Sequence, residues 1–114
     1  MNLTDIRDEL RAFARERDWE KFHSPKNLAM ALTVETAELL EIFQWMSEEQ
    51  SRTLDEARRG AVESELADVL LYLIQLADRL DIDLLAVAER KMVSNAERYP
   101  AERARGRSDK YDRL

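Results

Sequence analysis

The stretch "LTVETAELLEIFQW", residues 32–45, decides the fold. It contains no glycine or proline, and its apolar residues recur at steps of three and four, the period of a helix face. At 100° per residue, Leu28, Ala31, Leu39, Ile42 and Met46 fall in one sector. Three glutamates, Glu35, Glu38 and Glu41, follow one another at steps of three. Glu35 lies inside the apolar sector, Glu38 about 60° away at its edge beside Trp45, and Glu41 one step nearer water. A helix that buries this face must carry carboxylates part of the way in with it.

The neighbouring segments read as helices too. Ser24 before Pro25 is a helix start, a capping hydroxyl followed by a residue whose missing N–H costs nothing in the first turn, so this helix runs from Pro25 to about Met46. A helix before it spans about Thr4 to Trp19, with Thr4 as cap and Ile6, Leu10, Phe13 and Ala14 as its stripe. Residues 47–60 are polar and read as a connector with a turn or two of helix. A long helix follows from about Gly60 to Leu80, "AVESELADVLLYLIQLADRL" in residues 61–80. Val62, Leu66, Val69, Leu73, Leu76 and Leu80 form its main stripe, while Leu70, Leu71 and Ile74 carry apolar surface well around the cylinder. A helix of that girth is buried on more than one side, which predicts an oligomer with a large apolar subunit interface. Asp83 caps a last helix that ends near Tyr99, because Pro100 cannot continue it. The expectation is an all-α four- to five-helix bundle, a single domain over 1–100, and a polar, irregular tail over 101–114.

Composition narrows the function. The chain has 114 residues, two glycines, two prolines, a formal charge of −6 and no cysteine. The acidic balance argues against a nucleic-acid polymer or an anionic membrane as partner. Without cysteine there is neither a disulfide nor a thiolate metal site, which fits a reducing compartment. "MNLTDIRDEL" lacks the apolar run of a signal peptide, and no stretch approaches the roughly 20 apolar residues of a membrane span. A cytoplasmic location is expected.

The long helix over 60–80 repeats the oddity of its predecessor. Glu65 and Asp68, three apart, sit with Tyr72 at the border of the apolar stripe. Residues at i and i+3 share a face with Cβ atoms about 5–6 Å apart. Two such pairs on adjacent helices gather four carboxylates in one small volume, and two charges 4 Å apart repel by about 4 kcal/mol at an effective dielectric of 20. Arginines, protons or divalent cations must offset this. An all-oxygen set suits Mg²⁺, Mn²⁺ or Ca²⁺. A di-iron bundle wants Glu-x-x-His on two helices, and the only histidine, His23, falls in a loop. Mg²⁺ keeps waters and completes its shell with substrate phosphates, so an acid cage open to water is a place to hold a polyphosphate. No Gly-rich phosphate cradle is present to share that task.

"ETAE" at 35–38 and "ELAD" at 65–68 resemble the ExxE…ExxD signature of the MazG-like all-α nucleotide pyrophosphohydrolases. "RDWEKFHSPKNLAMAL", "ELLEIFQW", "ELADVLLYL" and "KMVSNAERYP" look like the dCTP pyrophosphatase subgroup phrase by phrase, with residues 47–60 the weakest part. The resemblance implies Mg²⁺-dependent hydrolysis of a nucleoside triphosphate to monophosphate and pyrophosphate, with Glu35, Glu38, Glu65 and Asp68 as metal ligands and Mn²⁺ as a substitute ion. It implies a nucleotide pocket lined by Trp19, His23, Trp45 and Tyr72, phosphate contacts from Lys91 and Asn95 with Arg98 assisting, and a homo-oligomer, either a dimer or a dimer of dimers. Glu38 or Glu41 would take the proton of the attacking water. One departure stands out: Leu10 occupies the position where dCTP-hydrolysing relatives carry a histidine near the base. The expected task is clearance of dCTP or a modified deoxycytidine triphosphate. The alternatives are the same reaction on dUTP or a damaged nucleotide, and a non-catalytic helical oligomer that binds a nucleotide or a partner.

Overall fold

A computed structural model describes all residues, 1–114. The chain is all-α: α1 (Leu3–Glu16), α2 (Pro25–Phe43), α3 (Glu48–Arg52), α4 (Glu56–Arg79), α5 (Leu84–Arg98) and α6 (Ala101–Ala104), with 3-10 turns at Glu20–Phe22 and Tyr111–Arg113. It divides into two compact units, Met1–Asp81 and Ile82–Leu114.

In the first unit α2 lies along α4, and α1 packs on α4 as well. Leu28 of α2, Ala14 of α1, and Ile74 and Ala77 of α4 are the buried apolar residues. Arg11 fixes α1 to α4 by donating from Nε to Asp78 Oδ2 at 2.8 Å, with a second donor of the fork on the other oxygen. Arg79 donates to the Glu20 carbonyl at 2.9 Å and ties the end of α4 to the first 3-10 turn.

Ser24 caps α2 as read from the sequence, its hydroxyl accepting from the Asn27 N–H at 3.1 Å, and Pro25 stands in the first turn. Four helix ends differ from the sequence expectation, the simplest being α2, which ends at Phe43 and not near Met46. Asn2 caps α1 in place of Thr4: its side chain accepts from the Asp5 N–H, and Asp5 accepts from the Asn2 N–H, a reciprocal box that satisfies two free donors. α1 stops at Glu16, three residues short of Trp19. Asp18 takes the left-handed conformation (φ 55°), its N–H bonds Arg15 O, and the Trp19 N–H returns to Ala14 O at 2.9 Å. That is a Schellman ending with aspartate where glycine is usual. α4 begins four residues before Gly60, because the Asp55 carboxylate accepts from the Arg58 N–H at 2.8 Å.

In the second unit Asp83 caps α5, accepting from the Ala86 N–H, and α5 ends at Arg98. The segment after Pro100, expected to be irregular, is built: α6 and Gly106 (φ 74°) turn the chain, and Tyr111 meets Tyr99 edge-on at 6.3 Å beneath the Arg98 guanidinium. No helix is long and apolar enough to cross a membrane.

Candidate active site

α2 and α4 run side by side, so acids that each helix carries at its apolar border are brought face to face. Glu35, Glu38 and Glu65 each offer a carboxylate oxygen, and these oxygens lie within 4.8 Å of one another. Asp68, the fourth expected ligand, stands one turn beyond Glu65 outside that trio, close enough for its charge to act on Glu35. Glu41, one turn beyond Glu38, is exposed and also outside the trio.

No lysine or arginine pairs with Glu35, Glu38, Glu65 or Asp68; the ion pairs of the chain lie elsewhere. Glu35 Oε2 and Glu65 Oε2 are out of reach of solvent and accept no hydrogen bond. An orphaned carboxylate oxygen costs its full desolvation. The Glu65 carboxyl against it, and then burial, hold the Glu35 carboxyl above the usual carboxylate range. Glu38 is raised as well, first by its contact with Glu35 and then by the charge of Glu35. Crowded acids with dry, unused oxygens and no cationic side chain are what a divalent cation neutralises. The all-oxygen donor set, partly open to water, fits a hard divalent cation such as Mg²⁺, Mn²⁺ or Ca²⁺.

Beside the acids lies a cavity of about 390 Å³ between α1, the first 3-10 turn and α4, lined by Ile6, Glu9, Leu10, Phe13, Trp19, His23, Asp68, Leu71, Tyr72 and Gln75. Its wall follows from the ending of α1. The Schellman turn at Asp18 swings Trp19 off the helix, and its ring meets Phe13 edge-on at 5.6 Å, the apolar contact that accompanies this motif. His23 stands edge-on to Trp19 at 6.4 Å. Asp68 belongs both to the cavity wall and to the surroundings of the acid trio, so the cavity and the carboxylates are neighbours.

Of the expected pocket residues, Trp19, His23 and Tyr72 line this cavity. Trp45 does not: α2 ends at Phe43, Trp45 stands in the turn beyond it, and the residue is 88% exposed. Lys91 and Asn95 are exposed, one turn apart on α5 in the second unit. Sequence reasoning passed over Glu9 and Gln75. The available signal for Gln75 was a lone amide inside the apolar run "LYLIQLA".

Residues 30–114 match the MazG-like family. The chain belongs to that family. Curated relatives include dCTP pyrophosphatase 1 of Homo sapiens, 46% identical over 98% of this chain and 67% of its own length, and dCTP pyrophosphatase 1 of Rattus norvegicus, 45% identical with the same coverage. The crystal structure of a pyrophosphatase from Archaeoglobus fulgidus superposes with a TM-score of 0.77 at 48% identity, covering 82% of this chain and 87% of that one. This MazG-like chain is an enzyme of the nucleotide pyrophosphohydrolase class.

Proposed function

We propose that the chain hydrolyses dCTP or a modified deoxycytidine triphosphate to the monophosphate and pyrophosphate, using Mg²⁺, with Mn²⁺ as a substitute, held by Glu35, Glu38, Glu65 and Asp68. The observation that carries this is the pair of buried, unpartnered oxygens Glu35 Oε2 and Glu65 Oε2 in a cluster with no cationic side chain. The names of the relatives supply the substrate class.

When bound, the cation neutralises phosphate charge and makes water more acidic. The base enters the cavity against Trp19, Tyr72 and Phe13, where a stacked base gains about 1–3 kcal/mol. Asp68, at the junction of cavity and trio, would act on the triphosphate through the bound cation, since the two anions repel each other directly. Glu38, within the trio, or Glu41, one turn beyond it, would accept the proton of the attacking water.

A homo-oligomer accompanies this reading. Met30, Val34 and Leu40 on α2, and Leu66 and Leu70 on α4, are 40–59% exposed in the single chain. Such surface suits burial by a second copy. Trp45, the most exposed of the large apolar residues, is then supplied to a neighbour's pocket or buried at the interface.

Leu10 on the cavity wall favours a second reading, the same reaction on another base such as uracil. Incubation of the protein and Mg²⁺ with a panel of nucleoside triphosphates, scored by chromatography for monophosphate and pyrophosphate, tests both. Product from dCTP supports the first reading, and product from dUTP alone supports the second.

A further inference from the structure

The base cavity is mostly apolar, so a few polar groups decide which base edge it accepts. Leu10 contributes no hydrogen bond. Across from it on α4 is Gln75, part-buried, one turn beyond Leu71. Its Nε2 donates to the Leu71 carbonyl at 3.2 Å, while its Oε1 accepts no hydrogen bond from the protein.

That bond sets the preferred orientation of the amide. Nitrogen must face the Leu71 oxygen, since a flipped amide would set two carbonyl oxygens against each other. One N–H is used there. Oε1 and the second N–H remain, side by side, as an acceptor and a donor. The 4-amino group and N3 of cytosine present the complementary donor and acceptor. Uracil held in the same pose presents O4 and N3–H, the reverse order, which this amide meets there only by turning over and giving up its bond to Leu71. Glu9, also on the cavity wall, is an acceptor only, so it welcomes an amino group and repels a 4-oxo oxygen.

We propose that Gln75, its amide oriented by the Leu71 carbonyl, is the residue that selects a 4-amino over a 4-oxo pyrimidine, with Glu9 reinforcing the choice. The proposal rests on the pyrophosphohydrolase reading above. Gln75 is a specificity residue: it touches the base and leaves the acid cluster untouched.

The test is kcat/KM for dCTP and for dUTP with Mg²⁺, for the wild-type chain, Gln75→Met and Glu9→Gln. Gln75→Met keeps the volume and removes both polar groups. The dCTP:dUTP ratio is expected to fall about tenfold in Gln75→Met, the discrimination a single hydrogen bond supplies. Most of the change should come from slower dCTP hydrolysis. Glu9→Gln, on an exposed face where folding is not at risk, is expected to lower the ratio in the same direction by a smaller factor. A folded Gln75→Met with the wild-type ratio overturns the proposal and leaves the reaction standing. Should Gln75→Met fail to fold, Gln75→Leu is measured in its place, and an unchanged dCTP:dUTP ratio in that variant overturns the proposal. A wild-type chain that releases pyrophosphate from no nucleotide refutes the reaction itself, and the base selection with it.

Discussion

Replacing Glu65 by glutamine should make the metal-free protein more stable and abolish its response to magnesium. The Glu35 and Glu65 oxygens of the trio lie within 4.8 Å of each other, and each residue also has a dry oxygen with no partner. At that separation two charges repel by about 3.5 kcal/mol at an effective dielectric of 20, and by about 0.9 kcal/mol in bulk water. Solvent at the open side of the cluster screens the pair between these limits, and a gain of about 1–2 kcal/mol is expected. For a chain of this size that is roughly 4–8 °C in Tm. The wild-type chain, by contrast, should gain from Mg²⁺ about 2.7 kcal/mol when the ion is at a hundred times its Kd. The assay is thermal denaturation followed by far-UV circular dichroism, at fixed protein concentration, in EDTA and in excess Mg²⁺. The two curves should converge for Glu65→Gln and separate for the wild type. A Glu65→Gln protein that melts lower in EDTA and keeps the full magnesium shift would refute the cluster as a cation site.

Other perturbations follow from the same geometry. Glu38→Gln and Asp68→Asn should each abolish turnover with helicity unchanged, checked by pyrophosphate release beside circular dichroism. Trp19→Ala removes one wall of the cavity and should lower kcat/KM about tenfold to a hundredfold, the range a lost stacking contact gives. Asp78 is held below its ordinary 3.8 by the Arg11 fork, so its contribution is present above that value and disappears as pH falls through the lowered one; Asp78→Asn should melt lower than wild type at pH 7, with the difference shrinking below about pH 3.8. Leu66→Arg, on an exposed apolar stretch of α4, should shift the mass measured by light scattering toward one chain.

Much of this was legible in the sequence because it is carried by periodicity. The acids at 35, 38, 65 and 68 betray themselves by standing at apolar borders of two helices, and pairing those helices brings three of them together without further information. Ser24–Pro25 and Asp83 were readable because their capping chemistry is local. The parts that were not readable depend on a single backbone choice or on a neighbour in space. α1 reads as continuing to Trp19 by pattern, and only the left-handed Asp18 ends it early and makes Trp19 a cavity wall. Asp18 gives no sequence signal as strong as glycine would. Trp45 shares a wheel sector with Glu38 only while the helix lasts, and it does not last that far. Gln75 looks like an ordinary polar interruption until its amide is seen bonded to Leu71 at the edge of a cavity. The apolar girth of α4 was plain in the sequence, and Leu66 and Leu70 remain exposed in the single chain.

The most direct test of the central claim is pyrophosphate release from dCTP, measured with Mg²⁺, with EDTA, and with the Asp68→Asn variant in Mg²⁺. Equal amounts of dCMP and pyrophosphate from the wild type with Mg²⁺, and neither product in the other two reactions, is the predicted result. Undiminished release in EDTA or from Asp68→Asn would contradict it, since hydrolysis would then proceed without the cation or the carboxylates that α2 and α4 bring together.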